Sequence, residues 1–173
     1  MKKTILIPTD FSVGSLNVLK SFLNENNNGS TRYNVILLYG YHLSNSITDL
    51  LFMSKAQIIR SLTTDEFEEA CDIIKNKFGV LIASVRIDLF TGFTQAAFEN
   101  YIEANRIEEI CISAEAWSKK TSRNNLDLTR FIKKSTVTVT EIQCANGSNA
   151  DFPEMEKNIA AVFAPNSMTM SVN

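Results

Sequence analysis

The chain has 173 residues, a hydrophobic fraction of 45%, a charged fraction of 21% and a formal net charge of -2 at pH 7. These values are typical of one globular domain with its own core and exclude a disordered or membrane-embedded chain. A net charge this close to zero gives no whole-protein attraction to nucleic acid or to an anionic membrane, so we expect neither partner.

The amino-terminal and cysteine patterns bear on the compartment. The apolar run TILIP is too short for a signal-peptide core and no later run is long enough to span a bilayer, so we expect a cytoplasmic protein. Cys71, Cys111 and Cys144 are widely separated and form no CxxC pair. That spacing favours reduced, mostly buried thiols over a disulfide framework or a zinc site.

Strand-like and helix-like segments alternate from the amino terminus onward. KTILIPTD is a near-continuous apolar run ended by Pro8, and it predicts a strand buried on both faces. Ser12 is placed to cap a helix in which Leu16, Leu19 and Leu23 recur on one face. After a polar, turn-rich connection, YNVILLYGY predicts the second strand.

The middle of the chain predicts paired helices and a third strand. Residues 47–78 have a helical pattern with a break near Thr63, which has capping-box spacing to Glu66. Gly79 is expected to end the second of these helices in the left-handed conformation. SVRIDLF then alternates as a strand, and Thr94 caps the helix that follows.

The next segments complete the alternation with a fourth strand (EEICISA), a helix (NLDLTRFIKK) and a fifth strand (STVTVTEI). Strands and helices at this spacing imply right-handed crossovers, and so an α/β fold with a doubly wound, Rossmann-like, mostly parallel sheet. We assign residues 1–142 to this domain. Residues 143–173 have the composition of a linker and an apolar segment, and we expect this C-terminal extension to pack on the domain or on a dimer partner.

The order of these elements and the residues at their junctions resemble the universal stress protein family. The opening KKTILIPTDFS is similar to that family's first strand and turn, and IEEICISA to its fourth strand. FGVLIASVRIDLFTGFTQAAFENYIEAN is similar to its third strand, turn and helix. The resemblance implies a five-stranded parallel sheet in the order 3-2-1-4-5, with a ligand crevice at the carboxyl ends of strands one and four.

The resemblance also implies how a nucleotide would be held. Binding members of the family hold the nucleoside with the aspartate that matches Asp10, and wrap the phosphates in a loop of pattern GxxG, nine residues, then G followed by Ser or Thr. Such glycines allow positive φ and let main-chain N–H groups approach an anion. The matching positions lie near Ala114, Trp117 and Asp127, and residues 93–146 contain no glycine. We predict that the phosphate half of the site is missing, while a nucleoside half around Asp10 can remain.

A nucleotide, if bound at all, would involve five residues. Thr9 and Asp10 would meet the nucleoside, while Lys119, Lys120 and Arg123 would meet the phosphates through their side chains. Lysines without a fixed cradle are point charges, so such a site would be weak and unselective. A simpler interpretation stays open, because an aspartate after a strand is an ordinary turn former and basic residues suit solubility or a helix carboxyl end.

The sequence predicts neither a catalytic nor a metal site. His42 has no Ser or Cys placed beside it, so a structural role is expected rather than triad chemistry. Trp117 can stack on a base or cover a vacated crevice. Basic and aromatic residues are not widespread enough for a nucleic-acid surface. We expect no cofactor, with ATP and magnesium as the alternative.

The fifth predicted strand, residues 136–142, is suited to pairing with another chain. Val137 and Val139 alternate in it with Thr136 and Thr138, which gives a half-buried border strand with unpaired backbone groups. Universal stress proteins commonly dimerise through this strand, so the resemblance implies a homodimer.

Our leading hypothesis is a cytoplasmic, dimeric regulatory or interaction module that does not bind ATP firmly, has no catalytic centre and acts through a protein partner as yet unidentified. The alternative is a nucleotide-binding stress-response protein with slow or no hydrolysis. A small enzyme is a third hypothesis, because the fold alone does not fix the function.

Overall fold

One parallel sheet organises the protein. The computed structural model describes residues 1–27, 29–43, 54–113 and 125–144. Within them, five strands lie in the order β3-β2-β1-β4-β5, and every neighbouring pair is parallel. The strands are β1 (Lys2–Pro8), β2 (Arg32–Gly40), β3 (Ile82–Phe90), β4 (Glu109–Ser113) and β5 (Thr138–Ile142). This sheet confirms the predicted α/β fold class and strand order.

Helices connect the strands and cover both faces of the sheet. They are a 3-10 turn (Val13–Ser15), α1 (Leu16–Glu25), α2 (Lys55–Leu62), α3 (Asp65–Lys77), α4 (Gln95–Ala104) and α5 (Thr129–Ile132). Two predicted caps are confirmed: Ser12 Oγ accepts the Ser15 N–H at 3.2 Å and Thr94 Oγ1 accepts the Ala97 N–H at 3.1 Å. The Thr94 bond satisfies a first-turn donor, whereas the Ser15 N–H is shared between Ser12 Oγ and the Ser12 carbonyl oxygen, which lies at 3.0 Å.

The predicted break between two helices is present, but its cap lies one residue later. Thr64, not Thr63, accepts the N–H of Phe67 at 3.3 Å and begins α3. Thr63 instead donates its hydroxyl to the Ile59 carbonyl oxygen at 2.6 Å and so closes α2.

The predicted left-handed stop at Gly79 is wrong. Helix α3 ends at Lys77, and no glycine in the described part of the chain has a positive φ. The Phe78 carbonyl oxygen accepts the N–H groups of Leu81 and Ile82 at 2.9 and 3.0 Å. The chain therefore leaves the helix through a right-handed turn, which needs no glycine.

The helix predicted over residues 125–134 is shorter than its pattern indicates. Of these ten residues only Thr129–Ile132 form an α-helix, and β5 begins at Thr138 rather than at Thr136. The shortening has a physical cause, because Leu126 donates its N–H to the Gly40 carbonyl oxygen of β2 at 2.8 Å instead of entering a helix.

Alternate strand residues divide the apolar core into two clusters, one on each face. Ile5 and Ile7 of β1 lie in the first core with residues of α1, α2 and α3. Leu6 lies between them in sequence but in the second core, with residues of α4 and α5. A strand buried on both faces reads as a continuous apolar run, which is why β1 could be predicted from its sequence.

None of the described helices is long and apolar enough to cross a bilayer. Strand β5 ends at Ile142. Of the predicted C-terminal extension, only Gln143 and Cys144 fall within the described residues, so the predicted boundary stays a prediction.

Candidate functional site

The turn after β1 is the first part of the candidate site. Thr9 is 7% exposed and donates its N–H to the Leu38 carbonyl oxygen of β2 at 2.9 Å. Its hydroxyl lies 2.9 Å from Ser15 Oγ and accepts the Phe11 N–H at 3.1 Å. The Thr9 side chain is therefore engaged inside the turn, where it fixes the exit of β1.

Asp10 lies exposed at the carboxyl end of β1, where the sequence predicts a crevice rim. Its Oδ1 accepts the N–H of Ser12 at 3.0 Å and also the Ser12 hydroxyl. This geometry is that of an Asx turn, the ordinary structural interpretation of an aspartate at this position. The position at the rim agrees with both the structural and the ligand-binding interpretations.

Phe11 holds the turn against the sheet in an uncommon backbone conformation. It has φ of 60°, yet its side chain is only 6% exposed. The ring packs on Tyr39 of β2 and Phe67 of α3, with centroid separations of 5.0 and 5.5 Å. Left-handed geometry in a residue with a Cβ costs about 1–2 kcal/mol, so this aromatic packing must offset the strain.

A close main-chain contact forms at the carboxyl end of β2. Leu126 donates its N–H to Gly40, and Tyr41 forms an antiparallel bridge with Asn125. A Cβ added to Gly40 would lie 2.1 Å from the Leu126 carbonyl oxygen, so only glycine permits this approach. Leu128 and Leu126 are both buried in the second core.

The sheet order shows what this contact means for the crevice. Residues 125–128 begin at the carboxyl end of β2, whereas β5 begins at the far side of β1 and β4. The chain from Asn125 to Thr138 must therefore cross β1 and β4 on the face of the second core. Main chain and leucine side chains therefore occupy this face of the sheet, beside the ligand crevice that the resemblance implies at β1 and β4.

Asp127 lies near the position that the resemblance matches to the third phosphate-loop glycine. Its Oδ1 accepts the Thr129 N–H at 2.9 Å and also the Thr129 hydroxyl. An N–H at the start of a helical turn is the kind of donor that phosphate sites use. Here a carboxylate of the chain takes it.

The basic residues predicted to meet a nucleotide all fall outside the described residues. Lys119, Lys120 and Arg123 belong to the undescribed stretch 114–124, as does Trp117, and their predicted roles stay predictions. The histidine is described: His42 is exposed, and its ring packs edge-on against Phe93 with a centroid separation of 5.3 Å. This is a contact between two surface side chains, and the structural role expected for His42 stays a prediction.

The described residues contain no group of three or more His, Cys, Asp or Glu side chains that could hold a metal ion. Cys71 and Cys111 are buried, Cys144 is half-buried, and all three are free cysteines in the structure. Burial raises the pKa of the Cys71 thiol to about 11 and also raises the pKa of Cys111. Both are therefore inert thiols rather than nucleophiles.

The sequence analysis did not identify a buried charged cluster around Asp88 of β3. Asp88 is 6% exposed, forms ion pairs with Lys55 and Arg86, and accepts the Tyr101 hydroxyl at 2.9 Å. Burial raises the Asp88 pKa, but the hydrogen bonds from Lys55 and Tyr101 outweigh it, so the pKa lies below its usual value. In the sequence, Asp88 falls on the polar side of the alternating run SVRIDLF, together with Ser84 and Arg86, so the pattern predicts an exposed side chain and gives no signal of its burial.

Comparisons with known proteins place this fold. No family model and no curated protein sequence matches the chain. Among solved structures, the universal stress protein UspA from Lactobacillus plantarum is 13% identical over 82% of this chain and 97% of its own, with a TM-score of 0.53. A universal stress protein family member from Burkholderia pseudomallei is 13% identical over 83% of this chain and 96% of its own, with a TM-score of 0.52.

At such low sequence identity, the structural similarity defines the fold and does not assign a function. The chain has the universal stress protein fold: five parallel strands in the order 3-2-1-4-5 between two helical layers. The fold predicted from the junction residues is thereby confirmed.

Proposed function

We propose that this protein is a universal stress protein-like regulatory or interaction module that does not bind ATP firmly and has no catalytic centre. The observation that carries the proposal is the Asp127 carboxylate on the N–H of Thr129. A phosphate group at this helical turn would meet the negative charge of the carboxylate, whereas a phosphate-binding loop would offer it N–H donors. Residues 93–146 also contain no glycine, which disfavours a loop whose main chain could approach a phosphate.

The alternative function, nucleotide binding, rests on Asp10. Its exposed position at the end of β1 suits contact with a ribose or base. Without a phosphate cradle, we expect any such contact to be weak and to depend little on the number of phosphates.

Two measurements test the proposal against this alternative. Purified protein is denatured and the supernatant assayed for released nucleotide, and ATP is titrated into the native protein by calorimetry with magnesium present. We expect no released nucleotide and no binding tighter than about 10 μM, which corresponds to about 7 kcal/mol. One-to-one ATP binding below that value, lost in Asp10→Ala, would establish the alternative instead.

The proposal includes a homodimer formed through β5. This strand is an outer strand of the sheet, and its Thr138 and Glu141 side chains are exposed. An outer strand presents backbone donors and acceptors that a second chain can pair. We expect size exclusion with light scattering to give twice the chain mass of 19.4 kDa at micromolar concentration.

A matched pair of lysine substitutions locates the interface. Thr138→Lys with Glu141→Lys places cations along β5 and should convert the dimer to monomer, since edge lysines oppose strand pairing. Ser84→Lys places one cation on the exposed surface of β3, the opposite outer strand, and should leave the mass unchanged. A monomeric wild-type protein, or an unchanged mass in the β5 variant, would contradict the dimer.

The proposed compartment is the cytoplasm. The free, buried Cys71 and Cys111 support it, since proteins of a reducing compartment keep their cysteines as thiols. Fractionation of cells producing the tagged protein, with recovery in the soluble cytoplasmic fraction, is the expected result.

A further inference from the structure

Helix α2 is capped at both ends by residues that would move with it. At its start, Ser54 Oγ accepts the Gln57 N–H at 3.3 Å, and the Gln57 side chain accepts the Ser54 N–H at 2.8 Å. At its end, Thr63 donates its N–H and its hydroxyl to the Ile59 carbonyl oxygen at 2.9 and 2.6 Å. Thr64 then begins α3. A movement at the joint between Thr63 and Thr64 therefore breaks neither cap of α2.

The apolar packing of α2 is limited. Of its eight residues only Ile58 is buried, whereas α3 buries four. Val85 and Ile87 of β3, which lie on the face of the first core, are half-buried. Their register neighbours on β2, Val35 and Leu37, are fully buried. Because a helix this short is marginal in water without tertiary packing, α2 is held more weakly than α3.

An ion pair ties α2 to the sheet. Lys55 Nζ of α2 pairs with Asp88 Oδ1 of β3. Lys55 is the first residue of α2, where the helix macrodipole disfavours a cation, so the contact with Asp88 is the reason for a lysine here. The Lys55 side chain is 55% exposed and that of Asp88 only 8%. Solvent ions therefore reach the cation of this pair, although the carboxylate is buried.

Asp88 keeps other partners when Lys55 departs. Its Oδ1 also accepts the Leu89 N–H at 2.7 Å. Its Oδ2 accepts the Tyr101 hydroxyl at 2.9 Å and lies 3.7 Å from Arg86 Nη1. Arg86 and Leu89 belong to β3 and Tyr101 to α4, so none of these contacts involves α2. The buried carboxylate therefore stays hydrogen-bonded without Lys55, and the sheet need not unfold when α2 leaves it.

We propose that α2 is a releasable helix, which the Lys55–Asp88 ion pair holds against β3 and which moves outward at Thr63–Thr64 when that pair breaks. Release uncovers Ile58 and the half-buried face of β3, an apolar surface for a protein partner. This use of the surface rests on the proposed interaction function, whereas the release itself does not. Elements that open for binding belong to the least stable parts of a protein, as α2 does here.

Thiol labelling measures whether position 58 becomes exposed. Ile58→Cys is the parent for two variants. One adds Lys55→Met, which removes the cation of the ion pair, and the matched control adds Lys75→Met, which breaks the exposed pair of Lys75 with Asp72 on α3. Labelled sites are identified by mass spectrometry. Native Cys71, buried in α3, is the internal control because it reacts when α3 or the whole domain opens.

Hydrogen exchange in the chain that keeps Ile58 is the second measurement. We expect Lys55→Met to speed labelling at position 58, and exchange of the amides of residues 58–63, by at least about tenfold, because one partner of the lost pair is buried. Labelling of Cys71 should not change, and Lys75→Met should alter neither rate. Sodium chloride should speed labelling at position 58 in the parent but not in Lys55→Met, since salt screens the exposed cation.

Three results would each overturn the inference. Unchanged rates at residues 58–63 in Lys55→Met would show that the ion pair does not hold α2. Equal acceleration at Cys71 would show that α2 opens only with the rest of the domain. Faster exchange without faster labelling at position 58 would show that the helix frays in place. The ATP titration and the chain mass test the proposed function, so the two ideas fail separately.

Discussion

Replacing Phe11 by alanine and by glycine separates the two roles of this residue at the end of β1. Its ring is buried against Tyr39 and Phe67. Truncation to alanine removes that packing at a cost of about 3–5 kcal/mol. The backbone at φ 60° adds a second effect, because a Cβ in the left-handed region costs about 1–2 kcal/mol that glycine avoids.

The two effects predict an unusual order of stability. Glycine loses roughly 0.5–1 kcal/mol relative to alanine through the greater freedom of the unfolded chain, which is less than the strain it relieves. We therefore expect Phe11→Gly to be more stable than Phe11→Ala, by up to about 1.5 kcal/mol. Phe98, fully buried in the middle of α4, gives the opposite expectation: glycine there should be about 1 kcal/mol less stable than alanine.

Urea denaturation of the four variants, followed by circular dichroism, measures both differences under one set of conditions. The comparison within each pair cancels the loss of the aromatic ring and leaves the backbone effect. If glycine is the less stable partner at position 11 by the same margin as at position 98, the strain assigned to Phe11 does not exist in solution.

Three further predictions concern the close contact, the buried acid and the thiols. Gly40→Ala should lower the free energy of unfolding by about 2–4 kcal/mol in urea denaturation, because its Cβ must displace the Leu126 main chain, whereas Gly14→Ala, with its nearest atom at 3.7 Å, should be nearly neutral. The Asp88 pKa is lowered by folding, so its contribution to stability is present above the unfolded value of about 3.9 and lost as pH falls through the folded pKa. The urea midpoint of wild type should thus fall more steeply from about pH 5 to pH 3 than that of Asp88→Asn, and equal slopes would contradict the assignment. Cys71, with its pKa raised to about 11, should react with an aromatic disulfide at pH 8 only after unfolding, and a fast native reaction that Cys71→Ala removes would show that it is accessible.

The strands could be predicted because their burial leaves a local trace in the sequence. Strand β1 is covered on both faces, so Ile5, Leu6 and Ile7 are all apolar although they contribute to different cores. The Thr94 cap is equally local, since the hydroxyl and the N–H it accepts are three residues apart. Features of this kind depend on residues close together in the chain, so they can be predicted before the fold is known.

The contacts around β3 depended instead on residues far apart in sequence. Asp88 and Lys55 are 33 positions apart, and only the packing of α2 beside β3 brings them together. The charge of Asp88 was visible in the sequence, but its partner could not be chosen among 17 lysines and arginines. The left-handed Phe11 was likewise hidden, because a bulky aromatic residue gives no sequence signal for positive φ.

Glycine at a close approach has a different use here from the one expected from the family resemblance. Phosphate loops use glycines so that main-chain N–H groups can reach an anion. In this chain Gly40 performs the same steric task for the chain's own backbone, since Leu126 packs where a Cβ would lie and donates its N–H to the Gly40 carbonyl oxygen. The carboxylate of Asp127, the next residue in sequence, accepts the Thr129 N–H. Gly40 thus permits a close approach of the chain's own backbone, and the Asp127 carboxylate accepts an N–H of the kind that donates to a phosphate oxygen in phosphate sites.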